Sequence, residues 1–122
     1  MKNYIDGFVF SLPKKHLDTY QKIAEQVSEI WLEHGALSYQ EFVGDDMALD
    51  GVISFIDTLN CSPNEIPVFG WVVFPSKEIR DKANTSVPMD PRMTELVAPL
   101  MDEKDLIFDA RRMIYGGFKA FV

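Results

Sequence analysis

Between Leu12 and Gly44 the chain carries one long amphipathic segment set between two stops, and no other stretch restricts the fold as much. Within Lys14 to His34 the apolar residues Leu17, Tyr20, Ile23, Ala24, Val27, Ile30 and Trp31 recur at steps of three and four, which places them on one face of an α-helix. That stripe has to be buried. The opposite face, with Lys15, Asp18, Lys22, Glu25, Glu29 and Glu33, suits water, and Asp18 lies four residues before Lys22 where the charges support the helix. Gly35 stands just past the last turn, where a left-handed residue satisfies the final carbonyls, so the chain can reverse into a strand starting near Ala36.

Tyr4 to Leu12, rich in aromatic and β-branched residues, reads as the first strand, and Pro13 stops it. Leu37 to Val43 alternates as a second strand. Gly44 to Glu65 is a long excursion whose apolar piece, Val52 to Leu59, is expected to pack over an edge of the domain as a flap. Pro67 to Phe74 is an almost wholly apolar strand, as expected where both faces are covered. Ser76 caps a helix over Lys77 to Asn84, and Asp90-Pro91 starts a short one toward Ala98. Arg112 to Val122 closes the chain as a strand around Gly116 and Gly117. The order is that of a split βαβ unit: an α+β, ferredoxin-like βαββαβ fold with an antiparallel sheet and its helices on one face.

Large apolar groups occupy both sides of these strands. The pattern sets Phe8, Phe10, Phe69, Trp71 and Tyr115 on one side, and Ile5, Val9, Val68, Val72 and Phe74 on the other. The helices are expected over the side holding Gly7 and Gly70, where missing side chains allow close approach. The aromatic side then needs another cover. A second copy of the chain, sheet against sheet, would supply it and leave a cavity on each side of the twofold axis.

At 122 residues the chain is expected to be one domain, 1–122. Its 12 Lys and Arg against 19 Asp and Glu give a net charge of -7, and only Lys14-Lys15 and Arg111-Arg112 are paired, so nucleic acid is disfavoured as a partner. No apolar run approaches the roughly 18 residues that span a bilayer, and the N-terminus lacks a signal-peptide core. A lone cysteine, Cys61, fits a reducing compartment, so a cytoplasmic location is expected, with no membrane partner.

Asp6 shares a strand face with Tyr4, Phe8 and Phe10, and Glu41 shares one with Tyr39. A carboxylate turned into an apolar cavity is held away from water and poised as a general acid or base. Glu41 and Asp6 are therefore the catalytic candidates; the competing reading sets each at a strand end, paired with Arg112 or Lys119. Trp71, Phe69, Tyr39 and Tyr115 can stack on a flat organic ligand or fill a dimer core. Asn84 and Arg112 can add polar contacts at a pocket rim, or serve as a helix end and a salt bridge to Asp109. His34, at the end of the long helix, can cap its last carbonyls or join the ligand site. With His16 and His34 far apart and one cysteine, no spacing suggests a metal or haem, and no cofactor is expected. Asp46, Asp50, Gly51 and Asp57 overlay loosely on a calcium loop, but Ala48 replaces an oxygen ligand and Asp57 stands where a long bidentate glutamate belongs.

Several segments together resemble the YbaA-like family, small bacterial proteins of unknown function in the dimeric α/β-barrel superfamily. They are Tyr4-Ile5-Asp6-Gly7-Phe8-Val9, Trp31-Leu32-Glu33-His34-Gly35-Ala36-Leu37, Gly44-Asp45-Asp46, Trp71, Phe74-Pro75-Ser76 with Arg80-Asp81 and Asn84, Asp90-Pro91-Arg92, and Phe108-Asp109 with Arg112-Met113-Ile114-Tyr115-Gly116-Gly117-Phe118. The resemblance implies the fold and a homodimer closing face to face into an α/β barrel; it carries no activity. The departures gather in Met47 to Glu65 and Thr94 to Lys104. Two functions follow as expectations: binding of a small, possibly aromatic molecule in a pocket between sheet and helices, or a cofactor-independent monooxygenase- or isomerase-like enzyme, as occurs in the wider superfamily, with an inward carboxylate as base. A purely structural or regulatory interaction protein would instead have a cavity filled by side chains.

Overall fold

In the computed structural model, which describes residues 2–122, ten-residue β1 (Tyr4–Pro13) forms the spine of a four-stranded antiparallel sheet. It pairs on one side with β3 (Glu65–Phe74) and on the other with β4 (Ile114–Lys119), while β2 (Ser38–Val43) adds to the far edge of β3, for the order β2-β3-β1-β4. Between the strands run α1 (Leu17–Glu33), a short α2 (Phe55–Leu59), α3 (Lys77–Ser86) and α4 (Pro91–Val97). The βαββαβ order stands, with α2 and α4 as additions.

The expected helix start at Lys14 is a 3-10 turn, Lys14–His16, before α1 proper. Gly35 has φ 110° and Ala36 N–H returns to the Trp31 carbonyl, so the chain turns into β2 as its glycine requires. The excursion after β2 contains α2, whose Ser54 Oγ accepts from Ile56 N–H and whose end is Asn60 at φ 52°. Ser76 and Asp90 cap α3 and α4 through Ile79 N–H and Arg92 N–H.

The register corrects the division of the sheet into sides. Phe8 lies opposite Gly70, Phe10 opposite Val68, and Gly7 opposite Trp71. Tyr4, Asp6, Phe8, Phe10 and Leu12 therefore share a face with Val68, Gly70, Val72 and Phe74, and that face meets the helices. Ile5, Gly7 and Val9 share the other with Phe69 and Trp71. Gly7 and Gly70 lie on opposite faces, so they do not mark one helix side. Gly70 makes room for the Phe8 ring, because a Cβ there would come within 2.5 Å of Phe8 Cζ.

The core has two parts beneath the helices. One gathers Ile30, Ala36, Val72, Phe74, Ala83 and Val87, and the other gathers Phe10, Leu12, Val68, Leu100 and Ile107. The chain from Ala98 to Met113 closes over the second part as two short 3-10 turns and a loop. No helix among the described residues is long and apolar enough to cross a membrane.

Candidate functional site

Where the two parts of the core meet, the helices and the sheet do not close completely. A cavity of about 390 Å³ remains between them, floored by Phe8, Phe10 and Val72 from the sheet and walled by Ala24, Val27 and Trp31 of α1. Met93 and Val97 of α4, with Leu100, Met101, Phe108 and Met113 of the covering segment, form the roof. A volume of this size suits a small organic molecule.

Polar groups stand at two ends of it. At one end are Asp6, Asn84 and Tyr115. Asp6, only 3% exposed, accepts from Arg80 Nε at 2.8 Å, and Arg80 Nη2 donates to Tyr115 Oη at 3.0 Å, with Asn84 Nδ2 at 3.4 Å from the same oxygen. Arg80 also lies 5.1 Å from the centre of the Tyr4 ring, a cation–π contact. Burial pushes the Tyr115 phenol up from its ordinary value, and the neighbouring Asp6 carboxylate adds to the effect.

At the other end Tyr20 and Tyr39 line the cavity and hold Glu41 behind them. Tyr20 donates to Glu41 Oε1 at 2.5 Å and Tyr39 to Oε2 at 2.6 Å, one phenol to each carboxylate oxygen. Burial pushes the Glu41 carboxyl above the ordinary glutamate value, and the two phenol hydrogen bonds pull it partly back. Both phenols are raised, first by burial and then by the charge of Glu41. Glu41 itself faces an outer cleft of about 530 Å³ between α1 and β2, where Asp18, Gln21, Glu25 and Ser28 also stand.

The candidates read from sequence are thus divided. Asp6, Tyr39, Tyr115 and Asn84 come together around the inner cavity, with Glu41 one hydrogen bond behind it. Phe69 and Trp71 lie on the opposite face of the sheet, Trp71 donating from Nε1 to Gln40 Oε1 at 3.1 Å. Arg112 is held at the start of β3 by Glu65, at 2.7 Å, and by the Leu59 and Asn60 carbonyls; the expected pair with Asp109 is made by Arg111 instead. Asp6 pairs with Arg80 and Glu41 with two tyrosines, so neither meets Arg112 or Lys119. His34 bridges Ser86 Oγ at 2.8 Å and Asp90 Oδ2 at 3.2 Å, outside the cavity, and ties the end of α1 to α3 and α4. Among the described residues no three of His, Cys, Asp and Glu gather closely enough to hold a metal ion.

Two partners escaped the sequence reading. Tyr20 had a signal, since it is the one residue on the apolar stripe of α1 with a phenol, whose hydroxyl needs a partner when buried. Arg80 had none, because 74 residues separate it from Asp6 and only the docking of α3 brings them together.

A four-stranded antiparallel sheet in the order β2-β3-β1-β4, helices on one face and a cavity beneath them, defines a ferredoxin-like α+β protein with an internal pocket. The chain belongs to the family described as "Protein of unknown function (DUF1428)", which its residues 3–110 match. It is similar to the uncharacterized protein YbaA of Escherichia coli strain K12 and of Shigella flexneri, 37% identical over 119 residues that cover 98% of this chain and 97% of each relative. Its fold is similar to a crystal structure of a NIPSNAP-family protein of unknown function from Agrobacterium tumefaciens, with a TM-score of 0.56, 19% identity, and 97% of this chain and 87% of that one covered. A second crystal structure of that protein superposes with a TM-score of 0.53 at 19% identity, covering 94% and 90%.

Proposed function

We propose that this protein is a cytoplasmic homodimer that binds a small, largely apolar organic molecule, with aromatic ones among the candidates, in the cavity between its sheet and helices. The observation that carries the reading is the cavity of about 390 Å³, apolar along its length and polar at its two ends. Apolar walls supply affinity by removing ligand surface from water, while a few placed polar groups fix its orientation. Asn84 and Tyr115 at one end and Tyr20 and Tyr39 at the other are suited to that second task. Partnership with a second copy is supported by the opposite sheet face, where Phe42, Phe69, Ile114 and Phe118 are 43% to 58% exposed.

A thermal-shift screen of small aromatic and aliphatic molecules tests the reading. A ligand raises Tm as its concentration rises, because it binds only the folded state. Val27→Trp fills the cavity and abolishes that rise. An unchanged rise in the variant, or no rise with any compound, overturns the proposal.

The alternative, a cofactor-independent monooxygenase- or isomerase-like enzyme, is favoured by one feature: Glu41 is a desolvated carboxylate beside the cavity, matched by phenols and, among the described residues, by no cation. Turnover that collapses in Glu41→Gln while binding survives would support it.

A further inference from the structure

We propose that Tyr39 and Tyr20 relay a proton from the inner cavity to Glu41, so that the cavity takes a weakly acidic molecule, a phenol or an enol, whose proton reaches Glu41 through a tyrosine. The inference rests on the inner cavity being the ligand site. Both tyrosines line the inner cavity and the outer cleft alike, whereas Glu41 lines only the outer cleft. With Ala24, they form the wall between the two spaces. Each phenol donates to its own oxygen of Glu41, at 2.5 and 2.6 Å, so the half of a proton path that leads from the tyrosines to the outer cleft is already hydrogen-bonded.

The surroundings of Glu41 draw a proton toward it. From α1 it is faced by Asp18, Tyr20 and Glu25; on its own strand by Tyr39; and across the sheet β3 offers Gly70, without a side chain. No ion pair reaches it among the described residues. A carboxylate surrounded in this way lacks a compensating cation, and protonation relieves its burial.

In the step itself the ligand O–H bond breaks and its proton passes to Tyr39 Oη. The proton Tyr39 held passes to Glu41 Oε2, and the ligand oxygen keeps the bonding electron pair. Tyr39 ends as a neutral phenol that donates to the ligand anion, and Glu41 ends as a neutral acid. Tyr20, on Oε1, offers the parallel route. Glu41 then returns the proton to water through the outer cleft.

The test uses the full-length protein and 4-nitrophenol, whose phenolate absorbs visible light. Binding is measured by titration calorimetry and the ionised share of the bound probe by absorbance, about one pH unit below its free midpoint. Wild type, Glu41→Gln, and the Tyr20→Phe, Tyr39→Phe double variant are compared, each checked for its fold by circular dichroism. The ionised share in wild type is expected to be about tenfold that in either variant, with affinity lower in the variants by about tenfold at most, as the linked equilibrium requires. Equal shares in all three overturn the relay and leave the cavity reading in place. A drop in Glu41→Gln without one in the tyrosine variant means direct contact with Glu41 and also overturns it. Failure of wild type to bind the probe overturns both the relay and a cavity for phenols.

Discussion

At the scale of single residues, two positions turn geometry into measurable energy. Gly70 is occupied from across the sheet: a Cβ there would meet Phe8 Cζ at 2.5 Å, Phe8 Cε2 at 2.7 Å and the Gln40 carbonyl oxygen at 2.9 Å. Swinging the ring aside relieves only part of the strain, because the backbone oxygen is fixed. Gly70→Ala is expected to destabilise the fold by about 1–3 kcal/mol, the usual effect of overpacking, read as a lower urea midpoint with an unchanged slope. Glu41 acts through linkage. Its folded-state value lies above its unfolded one, so between the two the folded protein holds a proton that the unfolded chain has lost. Stability therefore falls as pH rises through that window, opposite in sign to Glu65, whose carboxyl is lowered by the Arg112 hydrogen bonds and which favours the fold at higher pH. Since other carboxylates titrate too, the clean quantity is the difference between wild type and Glu41→Gln. Urea melts at about pH 4 and about pH 8 are expected to show wild type losing ground to the variant at the higher pH. A difference that stays flat, or grows in favour of wild type, contradicts the burial of that charge.

At the scale of elements, three of the helices were legible from sequence because each carries its own signals, a 3.6-residue stripe and Gly35 for α1, Ser76 for α3 and Asp90-Pro91 for α4, whereas the five-residue α2, too short for a stripe, was read only as an apolar piece of a flap. The sides of the strands were not. A strand alternates with period two, so assigning two strands to common faces depends wholly on their register, and a slip of one residue exchanges every side chain. Grouping aromatic with aromatic put Phe8 beside Phe69, whereas the pairing sets Phe8 against Gly70 and Phe69 against Val9. For the same reason Tyr39, Tyr115 and Asp6 gather at the cavity while Phe69 and Trp71 do not, and the docking of α3 adds Asn84. What joins the helices is equally remote in sequence. His34 lies 52 residues from Ser86 and 56 from Asp90, and its ring links α1 to α3 and α4, beside the more exposed pair that Arg92 of α4 makes with Glu33 of α1 at 3.0 Å. Because α4 supplies Met93 and Val97 to the roof of the cavity, His34→Ala is expected to loosen that roof locally. Amide exchange in α4, from Arg92 to Val97, is expected to quicken about tenfold while β1 and β3 keep their protection. Uniform acceleration across the sheet would mean that His34 supports the whole fold instead.

At the scale of the whole molecule, the uncovered sheet face is the feature that the chain alone does not resolve. Phe42 stacks on Trp71 at 5.2 Å, Phe69 meets Trp71 at 5.8 Å and Phe55 of α2 at 5.9 Å, so the rings form one continuous apolar surface, with Ile114 and Phe118 at the other edge. Strands six to ten residues long, spaced about 4.8 Å apart, give a flat area of roughly 400–650 Å² before the rings are counted. A stable interface needs about 800 Å² of accessible surface from each partner, so the flat sheet falls short by itself and the projecting rings with α2 beside them have to supply the rest. The face carries few charges to keep it wet, and a twofold axis lets it cover itself, because a self-complementary patch needs only one chain. Sedimentation at micromolar concentration is expected to give about twice the 13.9 kDa chain mass. Phe69→Glu with Phe118→Lys is expected to return the mass to that of one chain, with the circular dichroism of the fold preserved. Both changes lie on the opposite side of the sheet from the inner cavity, so they also separate assembly from ligand binding. A wild-type chain that is already single at micromolar concentration, or a variant that keeps the doubled mass, removes the self-covering sheet and leaves those aromatic rings without the partner their exposure demands.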